Sequence, residues 1–134
     1  MEIKRFSELS SDELNKIINK HFSHWSKYSK EMSLVDVEYK FKNVYAENDE
    51  FPYGIALIHD NEIIGFCTLR LNELEHYPEF NPWICSVMIL DESRNQSYGK
   101  MLIQYAKEEY KSLNFNEVYL WTDKAPQFYE KIGF

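Results

Sequence analysis

The chain has little of what marks secreted, membrane or multi-domain proteins. Its 134 residues include only two cysteines, four glycines and four prolines, so neither a disulfide framework nor a flexible linker between domains is expected. No apolar run approaches the roughly 20 residues of a membrane span, and the N-terminus lacks the pattern of a signal peptide. We therefore expect one cytoplasmic domain over residues 1–134, without a membrane partner.

Positive charge is scarce as well. The net charge of −7 disfavours nucleic acid as a partner and makes cationic ligands easier to attract. His21 and His24 have a spacing that suits a metal, but no third ligand is evident, so no metal is expected. Cys67 and Cys85 lie in apolar runs without metal-ligand spacing and are expected to be reduced core thiols. Nucleophile-elbow, Walker and dinucleotide-binding motifs are absent from the sequence, which leaves hydrolase, kinase and dehydrogenase functions unsupported.

What the sequence does contain is a clear succession of strands and helices. Ser10-Ser11-Asp12-Glu13 is a capping box that starts a helix, and His59-Asp60-Asn61-Glu62 is a turn that joins two strands into a hairpin. Gly65 inside the second of these strands indicates a bulge. Helices are predicted after the capping box, at Val35–Tyr45 and at Tyr98–Leu113, and the first of them has Leu14, Ile17, Ile18, Phe22 and Trp25 on one face. Strands are predicted at Met1–Phe6, Tyr53–Ile58, Ile63–Leu71, Trp83–Leu90 and Asn116–Thr122. The third helix has Leu102, Ile103, Ala106, Tyr110 and Leu113 on its apolar face, and the strand at Trp83–Leu90 should be buried on both faces.

The stretch from Ile84 to Tyr110 is the most informative, because an apolar strand is followed by a short polar turn and an amphipathic helix. The first N-H groups of such a helix are unpaired and point outward at the positive end of the helix dipole, where a diphosphate can bind. Gly99 lacks a Cβ and lets a bulky anion approach the backbone. Arg94, Gln96, Ser97 and Lys100 surround the turn with donors and positive charge.

These residues resemble a known family. Arg94-Asn95-Gln96-Ser97-Tyr98-Gly99 is similar to the Gln/Arg-x-x-Gly-x-Gly/Ala signature of the GNAT superfamily of N-acetyltransferases, with Ser97 in place of the first glycine. A serine there must either keep a negative φ or tolerate strain. Further on, the segment from Ala125 to Phe134 resembles the Ala-x-x-Phe-Tyr-Glu-Lys-x-Gly-Phe segment that closes GNAT domains. Together the two pieces place nearly the whole chain in the family's order.

The resemblance implies a fold, a co-substrate and a reaction. The fold is α/β (α+β), a mixed and mostly antiparallel sheet flanked by helices, and the co-substrate is acetyl-CoA, whose thioester an amine attacks directly in a ternary complex. The chain stops at Phe134, where a GNAT domain normally continues with two more strands. We therefore expect either a shortened sequence or a partner chain, as in a homodimer, that pairs with the sheet edge.

Particular residues take roles by this resemblance. Tyr129 is the expected general acid, and the backbone N-H near Cys85 is expected to face the developing oxyanion. The remaining cofactor contacts are expected from Val87, Ile89, Arg94, Asn95, Gln96, Ser97, Tyr98, Gly99, Lys100 and Thr122. The general base stays open, because Asn81 stands where some members have a glutamate, and Glu73, Glu75, His76 and Glu79 lie in the preceding segment. Trp83, Glu79 and Trp25 are expected to line the acceptor site.

Two functions follow from the sequence. The first is an acetyl-CoA-dependent N-acetyltransferase acting on a primary amine, either a cationic small molecule or a peptide amine. The second is a non-catalytic acyl-CoA-binding regulatory module, which Ser97 in the phosphate turn and Asn81 at the base position would suit. Tyr129 favours the first.

Overall fold

The described part of the chain is a four-stranded antiparallel sheet with helices on both faces. The computed structural model describes residues 2–47, 50–71, 82–90 and 97–120. Four strands, β1 (Glu2–Arg5), β2 (Tyr53–His59), β3 (Glu62–Arg70) and β4 (Trp83–Ile89), follow one another in the sheet in the order β1-β2-β3-β4. The helices are α1 (Ser11–Trp25), α2 (Leu34–Lys40), which continues as a π-helical turn at Phe41–Tyr45, and α3 (Tyr98–Ser112). Short 3₁₀ turns lie at Phe6–Glu8 and Ser26–Tyr28. The predicted fold class is confirmed.

Helix α1 begins where the capping box predicts. The Ser10 hydroxyl accepts a hydrogen bond from the Glu13 N-H at 3.1 Å, and the Glu13 carboxylate accepts one from the Ser10 N-H at 2.9 Å. The second bond holds the pKa of Glu13 below its ordinary value, because it favours the ionised carboxylate. Two N-H groups that the helix itself leaves unpaired are thereby satisfied.

The buried face of α1 differs from the prediction by one position. Leu14, Ile17 and Ile18 are buried as expected, but the fourth buried residue is His21, and Phe22 is only half-buried. One residue corresponds to about 100° around a helix, so the choice between the two depends on how α1 is rotated against the sheet. The sequence predicts Phe22 on the buried face because its side chain is the more apolar of the two.

The hairpin and its bulge are confirmed. His59 pairs with Glu62, so Asp60 and Asn61 form a two-residue turn, with φ of 50° and 64° as a type I′ turn requires. The register then shifts so that Leu57 pairs with Gly65. A Cβ on Gly65 would lie 2.6 Å from the carbonyl oxygen of Met88 in β4, so glycine allows the two strands to approach.

The sheet separates two apolar clusters. One lies under α1 and α2 and contains Phe6, Leu14, Ile17, Ile18, Val37, Phe41, Tyr45, Ala56, Ile58, Ile63, Phe66, Met88 and Leu90. The other lies under α3 and contains Tyr53, Ile55, Leu57, Ile64, Cys67, Leu69, Ile84, Leu102, Ile103, Ala106 and Tyr110. Leu113, predicted on the buried face of α3, is instead half-exposed just past the helix end.

Both cysteines are buried and reduced, as predicted, and burial raises the pKa of the Cys67 thiol. The strand at Trp83–Leu90 is less enclosed than predicted, because Ser86, Val87 and Ile89 are only half-buried. In the ranges that the structure describes, no helix has the length and apolar character needed to cross a membrane.

Candidate active site

Helix α3 begins with an open N-terminus. Ser97, the residue before the helix, has φ 63° and ψ 14°, which is the left-handed conformation, and its side chain makes no capping hydrogen bond. Ser97 therefore tolerates strain rather than keeping a negative φ, at a site where glycine is the least costly residue. Its carbonyl accepts from the Met101 N-H at 3.3 Å.

Nothing in the first turn of α3 competes with a bound anion. The turn carries no acidic residue, and Ser97 and Lys100 are exposed while Tyr98 and Gly99 are half-buried. Of the residues predicted to contact the cofactor, Ser97, Tyr98, Gly99 and Lys100 therefore lie together at the positive end of the helix dipole.

Strand β4, which leads toward this turn, is interrupted by a bulge. Thr68 pairs with Cys85 and Phe66 pairs with Met88, so Cys67 alone lies opposite both Ser86 and Val87. Ser86 has a φ of 53°, which lies in the left-handed region that costs a residue with a Cβ. A bulge of this kind redirects the backbone groups that follow it.

The outer edge of β4 meets a parallel segment at its beginning. Trp83 forms a parallel bridge with Tyr119, in which the Ile84 N-H donates to the Tyr119 carbonyl at 3.0 Å and the Tyr119 N-H donates to the Pro82 carbonyl at 2.9 Å. Further along, the Leu90 N-H donates to β3 at the Ile64 carbonyl. Because backbone groups alternate along a strand, those of Val87 and Ile89 then point to the outer edge.

The same alternation bears on the predicted oxyanion donor. The Cys85 carbonyl accepts a hydrogen bond from the Thr68 hydroxyl at 3.2 Å, so the backbone of Cys85 faces β3. By the same alternation, the nearest outward backbone groups after the bulge are those of Val87. The role of the Cys85 N-H as the oxyanion donor stays a prediction.

Two predicted acceptor-site residues, Trp25 and Trp83, lie toward the same face of the sheet. Trp83 pairs with Arg70, whose guanidinium lies 5.2 Å from the centre of the Tyr45 ring under α2. Trp25, at the end of α1, is half-buried and packs against the buried His21 with ring centres 4.5 Å apart. Within the described residues, the face covered by α1 and α2 thus carries aromatic rings and the guanidinium of Arg70.

Tyr110 of α3 fixes the ends of β3 and β4 from the other face. Its single hydroxyl hydrogen is shared between the carbonyls of Trp83 and Arg70, the second at 3.2 Å. Burial raises the pKa of Tyr110, so the phenol stays protonated and remains a donor.

Several predicted site residues lie outside the part of the chain that the structure describes, and the described part contains no metal site. Glu79, Arg94, Asn95, Gln96, Thr122 and Tyr129 lie outside the described residues. No group of His, Cys, Asp and Glu side chains within the described ranges has the geometry to hold a metal. The sequence marked His21 only through its spacing to His24, and its buried Nδ1 has no hydrogen bond partner among the described residues.

A bulged strand, an outer edge that meets a parallel segment, and a helix with an open N-terminus together form a surface that suits an extended ligand carrying a diphosphate. A family model described as the Acetyltransferase (GNAT) family matches residues 12–134. The chain belongs to this family, as the two sequence pieces predicted. It is therefore an N-acetyltransferase that uses acetyl-CoA as co-substrate.

Solved structures share the fold at low identity. A transcriptional regulator from Bacillus halodurans C-125 has a TM-score of 0.74 and 22% identity, over 99% of this chain and 91% of that one. An aminoglycoside 6′-N-acetyltransferase complexed with coenzyme A has a TM-score of 0.74 and 17% identity, over 99% and 84%. Glucosamine-6-phosphate N-acetyltransferase from Arabidopsis thaliana has a TM-score of 0.69 and 14% identity, over 99% and 90%. Among curated proteins, none matches the chain significantly.

Proposed function

We propose that residues 1–134 form one domain that transfers the acetyl group of acetyl-CoA to a primary amine by direct attack in a ternary complex. The observation that carries this proposal is the α3 N-terminus, with its left-handed Ser97, open first turn and absence of acidic residues there. It follows a strand whose bulge and outer edge suit an extended thioester arm.

The diphosphate of the cofactor is proposed to bind the first turn of α3. Backbone N-H groups from Ser97 to Lys100 would donate to the phosphate oxygens, with Arg94, Asn95 and Gln96 adding side-chain donors. A charge-assisted hydrogen bond contributes about 1.5–3 kcal/mol, so several of them account for a large part of the affinity for the cofactor.

The pantetheine arm is proposed to lie along the outer edge of β4, like a peptide that adds a strand to a sheet. The outward backbone groups of Val87 and Ile89 would pair with its amides, and Thr122 would add a further contact. A donor at the bulge, near Cys85, would face the oxygen that becomes negative during attack, where one such donor contributes about 3–4 kcal/mol. Tyr129 would protonate the leaving thiolate.

The acceptor is proposed to be a small-molecule or peptide amine. Support comes from the names of two relatives, which act on aminoglycosides and glucosamine-6-phosphate, and from the net charge of −7. Trp25, Trp83 and Glu79 are proposed to line its site. The free, buried cysteines suit a reducing, cytoplasmic setting.

Two measurements test this function. Calorimetry with acetyl-CoA should show binding, and Arg94→Ala should weaken it by about tenfold or more, because a charge-assisted contact is lost. Lys111→Ala, an exposed cation at the far end of α3, is the matched control and should bind as the wild type does. An unaltered dissociation constant for Arg94→Ala would count against the phosphate role.

Thiol release with a panel of amines tests catalysis. Tyr129→Phe should lower kcat by about a hundredfold while leaving the affinity for acetyl-CoA unchanged, because only the proton donor is removed. If acetyl-CoA binds but no amine in the panel causes release of coenzyme A, the non-catalytic acyl-CoA-binding module becomes the favoured function. That alternative is favoured by the strained Ser97 and by the regulator among the structural relatives.

A further inference from the structure

His21 places a polar imidazole ring in a cluster of aromatic side chains. It lies on the buried face of α1 with 8% of its surface exposed. Its ring centre is 4.5 Å from Trp25, 4.8 Å from Phe41 and 6.4 Å from Phe66. A phenylalanine would fill this aromatic cluster without carrying two polar nitrogens into it.

Within the described residues, the nitrogens of His21 take no part in the hydrogen bonding of the fold. Nδ1 is sealed from the surface and has no hydrogen bond partner among the described residues. Nε2 is not sealed in this way, so the small exposure of the side chain falls on that side of the ring. An unpaired buried polar atom costs folding free energy and calls for a functional reason.

The surroundings keep the ring neutral and determine which nitrogen carries the proton. Burial, followed by the charges of Arg70 and His24, lowers the pKa of His21 to about 4. A neutral imidazole has one N-H, and burying a lone pair without a partner costs less than burying an N-H. The proton therefore belongs on Nε2, which makes the accessible nitrogen a donor.

We propose that His21 is a specificity residue of the acceptor site, and that its Nε2-H donates to a hydroxyl oxygen of a polyhydroxylated amine such as an amino sugar. An ammonium group has only N-H donors and would meet another donor and the positive charge of Arg70 at this position. Trp25, half-buried beside His21, offers a ring face for the C-H side of a sugar. This inference rests on the proposed function and names its substrate class.

Kinetics with two matched amines test the proposal. Glucosamine and cyclohexylamine share a six-membered ring and an amine, but only glucosamine carries hydroxyls. His21→Phe should raise KM for glucosamine about tenfold, the usual cost of one lost hydrogen bond in a site that is built for it. It should leave kcat and both constants for cyclohexylamine unchanged. His21→Gln, which places an amide N-H near the position of Nε2, should recover most of the loss.

His24→Phe is the control, because His24 lies on the same helix and touches the other side of Trp25. It should not change the preference between the two amines. An equal effect of His21→Phe on both amines, or no effect on either, overturns the proposal.

A second measurement does not depend on turnover. In the complex with coenzyme A, ¹⁵N NMR of labelled histidines should show His21 as the neutral tautomer protonated at Nε2. Glucosamine should shift that resonance and cyclohexylamine should not. An Nδ1-protonated ring, or no shift with glucosamine, refutes the role of His21 even if the enzyme is active. Absence of thiol release with every amine refutes the proposed function instead, and the NMR titration still decides the role of His21.

Discussion

Replacing Ser97 with glycine should make the protein more stable. Ser97 holds φ at 63° without a capping hydrogen bond to compensate, and the left-handed conformation costs a residue with a Cβ about 1–2 kcal/mol. Glycine removes that cost but loses about 0.5–1 kcal/mol through the greater freedom of its unfolded chain. The difference between the central values is a net gain of about 0.8 kcal/mol, which for a chain of this length raises the melting temperature by about 3 °C.

The assay is urea denaturation followed by circular dichroism, with and without acetyl-CoA. Ser97→Gly should shift the urea midpoint upward at constant slope, because the surface exposed on unfolding does not change. The variant should also bind acetyl-CoA at least as tightly, since no Cβ then stands between the phosphates and the backbone. Ser97→Ala is the matched control and should unfold like the wild type, because it keeps the Cβ and removes a hydroxyl that caps nothing.

Two results would refute this reasoning. If Ser97→Gly is no more stable than the wild type, the left-handed backbone at this position carries no strain worth relieving. If Ser97→Ala loses about 1 kcal/mol, the hydroxyl stabilises the helix start after all.

Three further predictions concern stability. Lowering the pH from 6.5 toward 4 should destabilise the fold by up to about 3 kcal/mol, because the pKa of His21 is its ordinary 6.5 in the unfolded chain and about 4 in the folded one. Above pH 6.5 this effect vanishes. If the urea midpoint of His21→Phe depends on pH as steeply as that of the wild type, the prediction is wrong. Ser10→Ala should lower the free energy of unfolding by about 1 kcal/mol through loss of the α1 cap, whereas Ser23→Ala on the exposed side of the helix should not, and equal losses in denaturation would count against the cap. Gly65→Ala should cost about 2–3 kcal/mol, because its Cβ would meet the Met88 carbonyl at 2.6 Å; a wild-type melting curve would show that the strands can separate there.

Where local chemistry decides the structure, the sequence was enough to predict it. The Ser10 and Glu13 side chains determine the start of α1 through hydrogen bonds to neighbouring backbone groups. Asp60 and Asn61 tolerate a positive φ and so produce the hairpin turn. The start of α3 directly after the polar turn follows equally from the order of strand, turn and helix.

Where packing decides, the sequence was not enough. Whether His21 or Phe22 is buried depends on how α1 sits against Phe41 and Phe66, which are distant in the chain. The bulge in β4 has no sequence signature either, because Ser86 is not a glycine and its left-handed backbone results from the pairing of Thr68 and Cys85 around it. Neither the burial of His21 nor the bulge in β4 can therefore be predicted from the sequence.

The Tyr110 phenol joins the two halves of the proposed coenzyme site. By binding the carbonyls of Arg70 and Trp83, it ties α3, whose first turn is proposed to hold the diphosphate, to the end of β3 and the start of β4. A shift of the helix along its axis is therefore passed to the strand whose outer edge is proposed to hold the pantetheine arm.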